Sequence, residues 1–229
     1  MSGIAENLAR VRKSIANAAA RAGRDPAEIT LVAVSKTKPR ELVEEVLAAG
    51  HSVFGENRVQ EAETKFVPPL AGAELHMVGH LQSNKAKSAA ALFDRIHSID
   101  SLKTARRLDG FLAEYGRTMK ALVQVNLGNE PQKSGIGEED TAALLRGLSG
   151  LERIDVDGLM VLPPFFDDPE RTRPYFIALR EMRERLSKMD LGGINLVHLS
   201  MGMTADYAAA IEEGATMIRV GTAIFGARG

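Results

Sequence analysis

Lys36 closes a short apolar run, Thr30–Ser35, and leads into Thr37, Lys38 and Pro39. Near the other end of the chain, the runs Ile194–Leu199 and Thr216–Val220 each lead into a glycine-bearing stretch, SMGM and VGTAIFG. Each stretch joins a glycine to a hydroxyl residue, Ser200 with Gly202 and Gly221 with Thr222. Glycine lets the main chain approach a ligand closely, and successive N–H groups in such turns cradle phosphate. Arg219 stands one residue inside the end of the second run and adds a fixed positive charge. Together these residues make a phosphate clamp. A lysine desolvated beside an arginine has a depressed pKa, which makes it a nucleophile toward aldehydes through a Schiff base.

The elements that must position these groups alternate along the whole chain. Ile4, Leu8, Val11, Ile15 and Ala18 share one face of a first helix. Apolar runs at Thr30–Ser35, His51–Phe54, Leu75–Val78, Arg95–Ile99, Lys120–Leu127, Val156–Leu162, Ile194–Leu199 and Thr216–Val220 predict eight strands. Between them, helices are expected from Pro39 to Gly50 and over Arg58–Phe66, Ser83–Leu92, Leu102–Tyr115, Glu138–Leu148, Arg173–Met189 and Ala205–Glu213. Such alternation predicts a parallel sheet with right-handed crossovers. Eight units favour a closed (β/α)8 TIM-like barrel over an open doubly wound sheet, although 229 residues is below the usual barrel size of about 250. Nine residues follow Val220, too few for a full eighth helix, so the first helix is expected to cover the gap at closure. No linker or shift in composition divides the chain, and residues 1–229 read as one domain.

Bulk properties narrow the function. Lys plus Arg total 29 against 30 Asp plus Glu, so the net charge of −1 gives no reason to expect a nucleic acid or anionic membrane as partner. The apolar runs fall far short of the roughly 20 residues that span a bilayer. The absence of cysteine excludes disulfides and thiolate chemistry and points to a reducing cytoplasm. The N-terminus lacks a secretory apolar region.

Barrel enzymes place their chemistry at the carboxyl ends of the strands. There the reading collects Lys36, Asn57, His80, Lys133, Ser200, Gly202, Arg219, Gly221 and Thr222. With the last strand beside the first, about 4.8 Å away, Lys36 and the clamp share a pocket. That fits either a phosphosugar aldolase or a pyridoxal phosphate site. His76 and His80 have a metal-like i, i+4 spacing, but Gly79 and the strand reading break the helix it requires, so no metal is expected.

The segments AVSKTKP, FGENRVQE, HMVGHLQSNK, the KSG after the fifth run, and LSMGMTADYAAAIEEGATMIRVGTAIFG follow one another from about Leu31 to the C-terminus. In this order they resemble the YggS/PROSC family of pyridoxal phosphate homeostasis proteins. The resemblance implies the barrel domain of alanine racemase without that enzyme's additional β-domain, which supplies its second base. It implies that Lys36 holds pyridoxal 5'-phosphate as an internal aldimine. Ser200, Met201, Gly202, Gly221 and Thr222 would bind the phosphate, partly through backbone N–H groups. Asn57 would lie by the ring, Arg219 would face the pyridine nitrogen, and Lys133 would fall where the racemase has an arginine near the ring hydroxyl.

An arginine cannot accept a proton and so disfavours a pyridinium. The unprotonated ring is a poorer electron sink than one paired with an aspartate. The expectation is a cytoplasmic monomer that buffers the cofactor and delivers it to recipient pyridoxal phosphate enzymes, with little or no turnover. The alternative is an amino-acid racemase or related enzyme. The loop Gly128–Gly137 is the candidate lid, by its length and composition.

Overall fold

A computed structural model describes residues 3–128 and 134–226. Helix α1 (Ile4–Arg21) precedes strand β1 (Thr30–Val34), which is followed by α2 (Arg40–Ala48), β2 (Val53–Glu56), α3 (Val59–Phe66) and β3 (Glu74–Met77). Next come α4 (Ala86–Leu92), β4 (Arg95–Ile99), α5 (Leu102–Glu114), β5 (Met119–Val125), α6 (Glu138–Leu148) and β6 (Ile154–Val161). The chain ends with α7 (Arg173–Leu186), β7 (His198–Met203), α8 (Tyr207–Glu212), β8 (Met217–Val220) and the one-turn helix α9 (Thr222–Phe225). All strand pairs are parallel, and β8 pairs with β1 to close the barrel in sequence order.

Side chains alternate between the barrel interior and the helical shell, because successive residues of a strand face opposite ways. Val32, Val34 and Val78 form one small interior cluster, and Leu122, Met160 and Met217 another. The main core lies between barrel and helices and includes Ala33, Phe54, Ile96, Val123 and Ile218. Helix α1 buries Leu8, Val11, Ile15, Ala18 and Ala19. It lies against α2, α8 and α9, with Asn7 Nδ2 donating to the Ile224 carbonyl at 2.9 Å. The first helix thus covers the closure, as the pattern of its apolar face implies. Among the described residues, no helix is long and apolar enough to cross a membrane.

The seventh strand differs from its sequence assignment. The run Ile194–Val197 is not strand; β7 starts at His198 and takes in the SMGM residues, with Ser200, Met201 and Gly202 all buried. Gly202 resembles a turn residue but marks an irregularity inside the strand, where the β7–β8 register shifts between Ser200 and Met203. Its φ is +93°, and a Cβ there would meet Ala210 Cβ at 2.6 Å and Tyr207 Cα at 2.9 Å. Glycine at 202 therefore lets α8 pack directly onto the strand. At β2 the strand also runs two residues later than the apolar run, since Gly55 and Glu56 continue the pairing with β3.

If α1 closes the barrel, its buried face carries stability out of proportion to its position at the edge of the chain. Leu8→Ala is expected to cost about 2–5 kcal/mol in urea unfolding. The exposed Lys13→Ala on the same helix should change stability by about 0.5 kcal/mol or less.

Candidate functional site

Lys36 lies in a half-buried turn two residues beyond β1. The turn has an unusual backbone, since Thr37 is the one non-glycine residue with positive φ (64°) among those described. A buried charged cluster holds it there. Lys65, on α3, donates to the Ser35 carbonyl at 2.6 Å, to Glu56 Oε1 at 2.8 Å and to Glu61 Oε1 at 2.7 Å. Ser35 Oγ donates to Glu56 Oε1 at 2.6 Å, and Glu61 Oε1 accepts the Thr37 N–H. Both neighbours of Lys36 are therefore bonded to α3, and Ser35 to β2 as well. Burial raises the Glu56 pKa from its ordinary value, and the hydrogen bonds from Lys65 and Ser35 oppose that rise. Its second oxygen, Oε2, is buried without a hydrogen-bond partner.

The Gly221 stretch lies across the closure from the end of β1. Ala33 is opposite Val220 in the β1–β8 ladder, and a Cβ on Gly221 would lie 3.1 Å from the Val34 carbonyl oxygen. Gly221 N–H donates to Thr204 Oγ1 at 3.3 Å, which ties the end of β8 to the end of β7. Thr222 is exposed and opens α9; amides of a first helical turn have no intrahelical acceptor. Met201 turns its side chain into the core outside the barrel, so only its main chain is available at the mouth. Asp206 accepts the Met203 N–H at 2.6 Å, and its burial raises its pKa from the ordinary value.

Arg219 is 4% exposed. Its Nη1 donates to Ser200 Oγ at 2.5 Å and its Nη2 to the Val161 carbonyl at 2.9 Å. Burial lowers its pKa to about 10, so it remains a cation at neutral pH. The Ser200 hydroxyl also lies 2.8 Å from His97 Nδ1, which commits it to the barrel interior. Asn57 directly follows β2, and its carbonyl oxygen would be 2.3 Å from a Cβ on Gly79. Gly79 thus allows the carboxyl ends of β2 and β3 to approach one another.

His76 and His80 do not converge. His76 is buried and bonded to Glu74 and His97, while His80 is 45% exposed with Nδ1 3.2 Å from Asp100 Oδ2. No metal-binding group of three occurs among the described residues. Lys133 lies outside the described residues. The following part of the proposed lid loop is anchored, because Ile136 bonds through its main chain to Gln124 and Asn126, both at 2.9 Å. Gln124 Nε2 also donates to the Ser134 carbonyl at 2.8 Å.

Sequence reasoning missed His97, Lys65 and Glu61. His97 sits in an apolar run where its side chain reads as ordinary core. Lys65 and Glu61 show only the i, i+4 spacing of a surface helix pair. The one available signal was their place on the helix that follows the FGEN stretch.

Residues 6–229 match the protein family described as alanine racemase, N-terminal domain. A relative from Pseudomonas aeruginosa (strain PAO1) named pyridoxal phosphate homeostasis protein is 45% identical over 230 residues, covering 100% of this chain and 97% of its own. The structure of PipY from Synechococcus elongatus PCC7942, solved with PLP bound, is 40% identical with a TM-score of 0.85, covering 97% of this chain and 100% of that one. Alanine racemase from Corynebacterium glutamicum shares the fold at 17% identity with a TM-score of 0.74, covering 98% of this chain and 61% of that one.

The Lys65 cluster predicts a specific pH dependence. Because the folded pKa of Glu56 is raised, its protonation favours the folded state, and stability falls as pH rises from the ordinary carboxylate range through the folded pKa. Lys65→Met removes the larger of the two hydrogen bonds that hold this rise in check and leaves the buried carboxylate without its counter-charge, Ser35 alone remaining as donor. The variant should lose about 3 kcal/mol at pH 7.5, with the deficit shrinking toward pH 5 in urea unfolding. A deficit that does not change with pH contradicts the assignment.

Proposed function

The chain belongs to the alanine racemase N-terminal domain family, among its pyridoxal phosphate homeostasis proteins, and on that premise we propose that it binds pyridoxal 5'-phosphate through Lys36 and serves intracellular homeostasis of this cofactor. One observation carries the reading. The Lys36 turn and the Gly221–Thr222 segment stand side by side at the carboxyl end of the β1–β8 closure. An amine for the aldehyde and a main-chain cradle for the phosphate are then offered by adjacent strand ends. Lys36 would hold the cofactor at its aldehyde carbon, the aldehyde oxygen leaving as water.

The residues present fit the group. Gly221 lets the end of β8 approach β1 closely and Gly202 lets β7 pack on α8; both would serve the phosphate through main chain, with Met201 and Thr222 contributing main chain and hydroxyl beside them. Asn57 borders the ring at the end of β2. Arg219 offers its guanidinium to the pyridine nitrogen while Ser200 and Val161 hold it from behind. In this reading Ser200 serves the phosphate through its main chain, its hydroxyl being engaged with Arg219 and His97.

Bound pyridoxal phosphate supplies an electron-withdrawing ring, and a permanently cationic donor at its nitrogen weakens that ring as a sink. This favours storage and delivery to recipient enzymes over turnover. We place the protein in the cytoplasm as a monomeric barrel domain spanning residues 1–229. Racemisation is the alternative, favoured by the fold shared with alanine racemase.

The test is the visible spectrum of the purified protein with added pyridoxal phosphate, alongside Lys36→Ala, before and after excess amino acids. The wild type is expected to show the band of a lysine-bound cofactor, the variant to lack it, and amino acid enantiomers to remain unchanged. Conversion of an amino acid, lost in Lys36→Ala, would establish the enzyme reading. No band in the wild type would overturn cofactor binding.

A further inference from the structure

A line of hydrogen bonds runs through the barrel from its amino end to Arg219. Glu74, at the start of β3, places Oε1 2.7 Å from His76 Nε2. His76 Nδ1 is 3.0 Å from His97 Nε2, and His97 Nδ1 is 2.8 Å from Ser200 Oγ. Ser200 Oγ accepts from Arg219 Nη1 at 2.5 Å. His76, His97, Ser200 and Arg219 are all nearly inaccessible, at 1%, 0%, 0% and 4% exposure. The Glu74 side chain is 52% exposed. The line therefore joins a solvated carboxylate at one end of the barrel to a buried guanidinium near the other.

Its two ends dictate the direction of every link. A guanidinium only donates and an ionised carboxylate only accepts. Glu74 is ionised, its pKa lowered first by the hydrogen bond from His76. Ser200 receives the Arg219 N–H and gives its own proton to His97 Nδ1. His97 then carries its proton on Nε2 and gives it to His76 Nδ1, and His76 carries its proton on Nε2 and gives it to Glu74. In the opposite tautomer pair, bare His76 Nε2 would face the Glu74 carboxylate, and the Ser200 proton would need another acceptor. A charged His97 would put a donor against Ser200 or His76; burial, helped by the Arg219 cation, holds its pKa well below the ordinary value.

We propose that Glu74, His76, His97 and Ser200 form a one-way hydrogen-bond relay that positions Arg219 at the cofactor site and links its buried charge to a distant counter-anion. This deepens the proposed function and rests on it for the role of Arg219 at the pyridine ring. Aligned donors polarise one another along such a chain, so the Glu74 charge is felt through three neutral groups. Asp206 assists electrostatically. Of the other charges near the histidines, Arg95 and Lys120 share the Asp157 carboxylate. Arg95 is bidentate to Asp157 at 2.6 and 3.0 Å, with Lys120 and His198 also near that carboxylate, at 3.6 and 3.8 Å. His97 and His76 are thus positioning residues that act through Ser200.

Two measurements test the relay. Imidazole nitrogen NMR of the cofactor-free protein should show both histidines neutral with Nε2 protonated. A proton on His97 Nδ1, or a charged His97, overturns the relay whatever the protein binds. In the second, His97→Leu and Glu74→Gln are titrated with pyridoxal phosphate. His97→Leu should weaken binding about tenfold, the scale of a lost hydrogen bond to a charged group, and shift the visible band. Borohydride should still trap the cofactor on Lys36. Glu74→Gln, which keeps an acceptor but removes the charge, should give a smaller shift in the same direction. Wild-type band position and affinity in both variants, with only a lowered Tm, would reduce the relay to a structural feature and overturn it. If the wild type binds no pyridoxal phosphate, the functional reading fails and the NMR result alone decides the relay.

Discussion

The pairing of β8 with β1 is the constraint on which the site depends. Neither Lys36 nor the Gly221–Thr222 segment is informative by itself, since each follows an ordinary apolar run. Closure sets Val32 opposite Arg219 and Ala33 opposite Val220, and the site follows from continuing both strands by a few residues. Gly221 permits the close approach at this point because its position leaves little space for a Cβ. Helix α1 protects the closure from outside, so part of the site's geometry rests on a helix remote from its mouth.

Two buried electrostatic devices then refine what closure assembles. Beneath the Lys36 turn, Lys65 gathers Glu56, Glu61 and the Ser35 carbonyl. That cluster lets the chain adopt the positive φ at Thr37, which costs energy for a β-branched residue. Behind Arg219, neutral hydrogen-bonding groups fill a part of the barrel that apolar residues occupy elsewhere. Burying a guanidinium without partners carries a heavy desolvation penalty, and Ser200, Val161 and the histidines together offset it. Both devices hold backbone or charge in place through the chain's own groups, which is the condition for a preorganised site.

The barrel itself was legible because helical and strand periodicities alternate cleanly, and buried parallel strands read as continuous apolar runs. The positions of Lys36, Arg219 and the Gly221–Thr222 segment were legible for the same reason, as polar or flexible residues at the ends of such runs. The seventh strand was misplaced because SMGM carries a glycine that reads as a turn, whereas Gly202 is needed for helix packing inside the strand. His97, Lys65 and Glu61 were invisible because their roles exist only across elements, between residues far apart in sequence. Periodicity reports which face a residue occupies, and it does not report what meets that face.

Borohydride reduction of the protein with pyridoxal phosphate, followed by peptide mass mapping, addresses the central claim most directly. Reduction converts the carbon–nitrogen double bond into a stable pyridoxyl-lysine. The account predicts this adduct on the peptide containing Lys36, at close to one per chain. A modification spread over surface lysines, or concentrated at another lysine, would contradict the assignment of Lys36 as the anchor.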